Sequence, residues 1–186
     1  MCTFITAVLP AGVDHAAVSA WLHAHRRGCI AHVTASLQAQ LKPGEAACLT
    51  HHARCDCGTP LGAALRARRS PEDKAAAAAG KMRRKGWSEA KIARALSQQG
   101  DAVIRNALAV KAHDDSGTLG AAEWLACLRD VLDGGATPWI GLLHRDYDGA
   151  LDAPFELLGR EHHTLGALDA DALGRMREDT LHVIAR

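Results

Sequence analysis

Apolar and polar positions along the chain change period several times, and each change marks an expected element. Thr3 to Leu9 is a β-branched and aromatic run closed by Pro10, the pattern of a strand. Asp14 then precedes Ala17, Val18, Trp21 and Leu22 at helical spacing, so it is expected to cap a helix. Arg26-Arg27-Gly28 suits that helix's C-terminus. A stretch without clear period leads to a turn at Lys42-Pro43-Gly44, and Ala46 to Thr50 follows as a short strand. The first third therefore predicts a β-α-β unit.

The middle is helical by pattern. Ser70-Pro71-Glu72-Asp73 combines a cap, an N1 proline and first-turn acids ahead of the alanine run 75–79. Gly86-Trp87-Ser88 breaks this helix. Ser88 starts a second, through Ile92, Leu96, Val103, Ile104 and Leu108, with Gly100-Asp101 as a dividing point. A third carries Trp124, Leu125, Leu128, Val131 and Leu132 on one face and ends at Asp133-Gly134-Gly135. The last fifty residues predict a strand at Trp139 to Leu143, a turn at Asp146-Tyr147-Asp148-Gly149, a strand at Phe155 to Leu158, a short helix from Asp169 to Met176 and a strand from Leu181 to Ile184. This order predicts an α/β (or α+β) fold with one small mixed sheet and a three-helix insertion in the middle of the chain. The expected organisation is a single domain over 1–186. Residues 1–66 form strand-helix-strand and a Cys-rich loop, 67–134 the helical segment, and 135–186 complete the sheet.

At 186 residues with 48% apolar and 23% charged side chains, the chain is of globular rather than disordered composition. With two Phe, four Trp and one Tyr, its core must rest on Leu, Ala, Val and Ile. No run of 18 apolar residues exists, so no membrane partner is expected. The first ten residues lack a positive n-region, which makes the cytoplasm the expected location and reduced thiols or metal ligands the expected state of the six cysteines.

Charge changes the picture further. Between Arg66 and Arg94 ten basic residues face three acids, a local +7, while the remainder carries −6. The basic set Arg66, Arg68, Arg69, Lys81, Arg83, Arg84, Lys85, Lys91 and Arg94 suits an acidic protein partner or nucleic acid. A solvated helix face folded on the acidic remainder is the competing reading. Ile92-Ala93-Arg94-Ala95-Leu96 followed by Val103-Ile104-Arg105-Asn106-Ala107-Leu108 is similar to helix-turn-helix DNA-binding units. That resemblance departs from them in placing Ser97 where the turn takes Gly.

The densest chemistry lies at Cys55-Asp56-Cys57-Gly58-Thr59-Pro60-Leu61-Gly62. Cys48, His51, Cys55 and Cys57 supply four soft or borderline ligands within ten residues, with His52 as a substitute, and such a set suits zinc. A tight turn with packed cysteines is the plain alternative. Cys2 either joins this set or, after loss of Met1, becomes an N-terminal nucleophile with its own amine as base, although Thr3 stands where those enzymes carry Gly or Arg. His162, His163 and His182 with Asp146 or Asp148 are lesser site candidates. His144-Arg145-Asp146 shares three letters with the kinase catalytic loop, but the chain has no glycine-rich phosphate loop to go with it.

The opening Met-Cys-Thr-Phe-Ile-Thr-Ala, the later Ser36-Leu37-Gln38-Ala39-Gln40-Leu41, and Cys55 to Gly62 together resemble a family of uncharacterised bacterial proteins over the first third of the chain. The resemblance implies no activity. It implies that Cys2 and the Cys55/Cys57 pair belong to one structural unit. The expected function is a cytoplasmic bacterial binding protein, immunity-type or regulatory, working through the basic helical surface. The alternatives are a zinc- or thiol-dependent enzyme at Cys2/Cys55/Cys57 and a DNA-binding protein.

Overall fold

A computed structural model describes residues 2–32, 34–51, 55–67, 75, 78–80, 82–83, 85–97, 119–147 and 151–186. The chain divides into two compact units, Met1–Arg66 with Thr118–Arg186, and Ala67–Gly117.

The first unit is a six-stranded mixed sheet with helices, ordered β2-β3-β1-β4-β6-β5. Its strands are β1 (Cys2–Leu9), β2 (Ile30–Ala31), β3 (Ala46–Leu49), β4 (Trp139–Tyr147), β5 (Gly159–Thr164) and β6 (Thr180–Ala185). Its helices are α1 (His15–Ala24), α2 (Ala35–Gln38), α3 (Pro60–Ala67), α4 (Leu119–Asp133) and α5 (Ala170–Gly174). Strand β1 is central because its run of Ile5, Thr6, Ala7, Val8 and Leu9 is buried on both faces, as a continuous apolar strand must be. It pairs antiparallel with β3 through Thr6↔Leu49 to Leu9↔Ala46, and with β4 through Cys2↔Tyr147 to Val8↔Gly141. Among the described strands only β5 and β6 run parallel.

Ile5, Ala7 and Leu9 face one apolar layer with Ile140, Leu142 and Ile184, covered by Val18 and Leu22 of α1 and Trp124, Leu128, Val131 and Leu132 of α4. Val8, Leu143, Leu181 and Val183 face the other, covered by Leu37 of α2, Leu41, Phe155 and Leu157. At about 25 cal/mol per Å2 of apolar surface, these layers supply most of the stabilisation.

Asp14 caps α1 as expected, its Oδ1 accepting from the Ala16 and Ala17 N–H groups. The helix ends by a different device from the expected glycine. Arg26 takes the left-handed conformation (φ 57), and the Arg27 and Arg26 N–H groups close back on Leu22 and His23 carbonyls. The β-α-β expectation is corrected as well. Strands β1 and β3 are antiparallel, because the unpatterned stretch contains the edge strand β2 and the one-turn helix α2. Phe155 to Leu158 is not a strand. Ser36, Gln40 and Asp179, not a strand partner, take its backbone groups, while the next segment, Gly159–Thr164, pairs with β6. Asp146 and Tyr147 belong to β4 rather than to a turn, while Asp148 and Gly149 lie outside the described residues.

In the second unit, residues 78–80 and 82–83 are helical, Gly86 (φ 74) turns the chain, and residues 89–97 form the next helix. The break at Gly86-Trp87-Ser88 stands where the pattern put it. The expected helix start at Ser70-Pro71 and the positions Val103, Ile104 and Leu108 lie outside the described residues. Among the described residues no helix is long and apolar enough to cross a membrane.

Candidate functional site

Strand β3 stops at Leu49, and the Thr50 N–H and hydroxyl both turn onto the Ile5 carbonyl. Past that point the edge of β1 would expose its N–H groups at Ile5 and Thr3, an arrangement folds avoid. One turn of 3-10 helix, Asp56–Gly58, fills the gap with side chains instead of a strand. Asp56 Oδ2 accepts the Ile5 N–H at 2.8 Å, and Cys57 Sγ accepts the Thr3 N–H at 3.1 Å. The threonine hydroxyl of Thr3 donates to Asp146 Oδ1 at 2.5 Å on the opposite side.

The turn is held from behind by α3. Thr59 caps that helix, its Oγ1 accepting the Gly62 N–H at 3.1 Å while donating to the Asp56 carbonyl at 2.8 Å. Pro60 occupies the first helical position, where its missing N–H costs nothing. Gly62 is required by contact: a Cβ there would stand 2.0 Å from the Asp56 carbonyl oxygen. The sequence Asp-Cys-Gly-Thr-Pro-Leu-Gly thus encodes a turn clamped between β1 and α3.

This clamp brings Cys2, Cys55 and Cys57 together, with their sulfur atoms all within 4.8 Å of one another. Such a group can hold a metal ion. Cys2 is exposed, and Cys55 and Cys57 are half-buried, so the cluster opens to solvent. The Cys57 backbone N–H draws the Cys55 thiol toward ionisation. Contact with the Cys57 thiol, desolvation and the Cys2 thiol outweigh it, and the Cys55 pKa lies above the ordinary thiol value. Asp56 is fully buried, and burial lifts its carboxyl above the usual range against the opposing Ile5 N–H.

The expected ligand set is only partly assembled. Cys48 is a core residue whose sulfur lies 2.6 Å from that of Cys29, just ahead of β2, rather than a member of the cluster. The hydrogen bond between the two thiols lowers the Cys29 thiol and, with burial, leaves the Cys48 thiol pushed far up. His51 lines a polar cleft of about 550 Å3 with His25, Arg26, Arg27, Thr59 and Glu123. His52 lies outside the described residues.

Of the basic set, Arg68, Arg69, Lys81 and Arg84 lie outside the described residues, and Arg66 is described by its backbone alone. Arg83 is bound in a fork to Glu89 at 2.7 and 2.9 Å, and Lys91 lies over the Trp87 ring at 4.2 Å. Lys85 and Arg94 are exposed. Residues 98–118, most of the helix-turn-helix likeness, are outside the described residues.

A second polar group lies across the sheet. Glu161, His163 and His182 present ligand atoms within 4.8 Å of one another, and of these the sequence singled out only the histidines. His144, nearby on β4, is buried without a hydrogen bond to either ring nitrogen among the described residues; Asp146 Oδ1 stands 3.7 Å from its Nε2. Burial lowers the pKa of His182, keeping it neutral. Alternation along β5 and β6 could have joined these residues, had β5 been recognised as a strand. No protein family, curated protein or solved structure matches the chain.

Proposed function

We propose that the protein binds one zinc ion through the thiolates of Cys2, Cys55 and Cys57. The convergence of these three sulfur atoms at the edge of β1 carries the reading. Zinc–sulfur bonds of about 2.3 Å imply sulfur–sulfur separations of about 3.8 Å in a tetrahedron, within rotamer adjustment of the observed spread. A thiolate set favours zinc or another soft ion over hard cations. Three protein ligands leave a fourth position that the exposed side of Cys2 opens to water or to a small ligand, where zinc would polarise a bound oxygen. Zinc quantified in purified protein tests this. The C2S/C55S/C57S variant should carry one equivalent less than the parent, and cobalt(II) substitution of the parent should show thiolate charge-transfer absorption. Unchanged metal content in that variant, or cobalt bound without that absorption, would sink the proposal.

As a second reading we propose an acidic protein partner for the basic segment, the partner side of the expected binding role. Its support is the local +7 between Arg66 and Arg94 together with exposed Lys85 and Arg94. Binding of a poly-glutamate peptide should weaken with salt and in the K85E/R94E variant. Equal affinity in that variant would remove this reading.

A further inference from the structure

Glu161 and His163 stand two apart on β5 and therefore share a face of the sheet, and the register sets His182 of β6 directly opposite Glu161. His163 Nε2 lies 3.0 Å from His182 Nδ1, and Glu161 Oε2 lies 3.5 Å from the same nitrogen. Metal–ligand bonds of about 2.0–2.1 Å around a tetrahedral ion place neighbouring ligand atoms about 3.3 Å apart, between those two distances. The imidazole rings are stacked, 27° from parallel with centroids 5.2 Å apart, so neither nitrogen needs a large swing to share an ion.

The surroundings support each ligand from outside. His182 is 2% exposed, which fixes its ring. Its Nε2 sits between the backbone N–H of Arg177 at 3.0 Å and the carbonyl of Arg177 at 3.3 Å. Either tautomer is therefore satisfied. With Nε2 accepting from the N–H, Nδ1 carries the proton toward His163. With Nε2–H donating to the carbonyl, the Nδ1 lone pair is released for a metal. Backbone carbonyls orient metal-binding histidines in this way. Glu161 directs Oε2 at His182 while its Oε1 lies 3.7 Å from Arg177 Nη1, so the oxygen not used for ligation has its own partner.

We infer that Glu161, His163 and His182 form a second metal site, selective for a divalent first-row transition ion bound by two imidazoles and one carboxylate. A hydrogen bond between His163 and His182 accounts for the pair without metal; on binding, the ion takes the place of the shared proton, which moves through solvent to the other nitrogen of the ring that carried it, so that both imidazoles bind neutral. Two nitrogens and one oxygen suit zinc, cobalt(II) or nickel(II) and contrast with the sulfur set at Cys2, Cys55 and Cys57. Glu161 and His163 are both half-exposed on the edge strand, so the remaining coordination positions face solvent and can take a ligand.

The test uses the chelator-treated full chain carrying C2S/C55S/C57S, titrated calorimetrically with zinc(II) and spectroscopically with cobalt(II). One equivalent should bind without thiolate charge-transfer absorption. H163A and E161Q, each added to that background, should weaken binding by more than the roughly 10–100-fold that outer-shell partners carry. Both side chains lie at the edge of the sheet, and matched urea midpoints certify the fold. Absence of saturable binding in the triple-serine background overturns the inference, and so does affinity unchanged by both added substitutions. Because the background removes every sulfur ligand of the first cluster, failure there leaves the thiol proposal to its own test.

Discussion

Gly62→Ala is the sharpest test of how the Cys-rich turn is held. The added Cβ would stand 2.0 Å from the Asp56 carbonyl oxygen and 2.8 Å from the Asp56 carbonyl carbon, whereas real Cβ atoms essentially never approach below 3.0 Å. The turn must therefore retreat from α3 by about 1 Å or more to restore ordinary packing. That motion stretches the Ile5 N–H bond to Asp56 (2.8 Å) and the Thr3 N–H bond to Cys57 (3.1 Å) toward lengths at which neither holds. Losing the buried bond to Asp56 costs roughly 1–3 kcal/mol and the weaker bond to sulfur about 0.5–1 kcal/mol. Replacing Gly by Ala inside a helix returns about 1 kcal/mol. The net expectation is a loss of about 0.5–3 kcal/mol, seen as a lower urea midpoint and a Tm lowered by roughly 1–12 °C.

The same movement separates Cys57 from Cys2, so metal retention at the proposed thiol site should fall with stability. Ala63→Gly, at the exposed neighbouring position, calibrates helix propensity alone and should cost about 1 kcal/mol without loss of metal. A Gly62→Ala protein as stable as the parent and equally loaded would refute the clamp. The propensity gain would then have stood unopposed.

Glu45 accepts a forked pair of bonds from Arg160 at 2.6 and 2.8 Å and a third from the Lys42 N–H. Desolvation raises the Glu45 pKa, but Arg160 and the Lys42 N–H outweigh it and the net pKa is lowered. Its contribution is therefore present above the unfolded carboxyl value of about 4.3 and fades as pH falls through the folded value. E45Q should lose about 2 kcal/mol at pH 7 and converge on the parent in acid; a pH-independent gap would refute that linkage. Limited alkylation followed by peptide mapping should label Cys29 ahead of Cys48 and Cys127, since Cys48 lowers the Cys29 thiol while burial holds Cys127 up at about 12. Equal labelling of the three would contradict the pairing. Arg26→Gly should stabilise by about 0.5–1 kcal/mol in urea, because left-handed backbone strains a side chain by roughly 1–2 kcal/mol and glycine's extra unfolded-chain entropy returns part of it. A destabilised variant would mean that Arg26 contributes a contact worth more than its strain.

The central strands were legible because burial writes itself into the sequence. The runs at Thr3–Leu9, Trp139–Leu143 and Leu181–Ile184 are apolar for the same reason that β1, β4 and β6 occupy the middle of the sheet. Helix α4 was legible from the single face of Trp124, Leu128 and Val131, all of which are in the core. Strand β5 was not, because Gly-Arg-Glu-His-His-Thr is an edge strand with few buried side chains, and the more apolar Phe155 to Leu158 drew the assignment. Those residues do enter a core, but as an irregular segment over the second face of the sheet, where Phe155 and Leu157 pack beside Leu37. Grouping Cys2 with Cys55 and Cys57 was within reach of residue type alone. Excluding Cys48 was not, because its sulfur is met by that of Cys29, just ahead of the two-residue strand β2, which has no period to detect.

The contact between Thr3 and Cys57 links the fold of β1 to the chemistry of the cluster. A neutral thiol is a weak acceptor, so the 3.1 Å bond from the Thr3 N–H does little for the sheet edge while Cys57 remains protonated. A thiolate is a much stronger acceptor, and the same N–H then favours the charged sulfur that a metal requires. A metal held by the cluster would take the place of that proton and tighten the hydrogen bond from Thr3, which would draw the Asp56–Gly58 turn onto the strand and couple metal binding to the strength of the β1 edge. The coupling runs in both directions, because a ligand that binds only the folded chain adds its binding free energy to stability. For the zinc site proposed above, removing the ion with a chelator should therefore lower Tm and speed amide exchange at Thr3 and Ile5 more than in the interior pairs of β1 with β4. Exchange that rises equally along β1 would mean that the cluster does not hold the edge of the sheet.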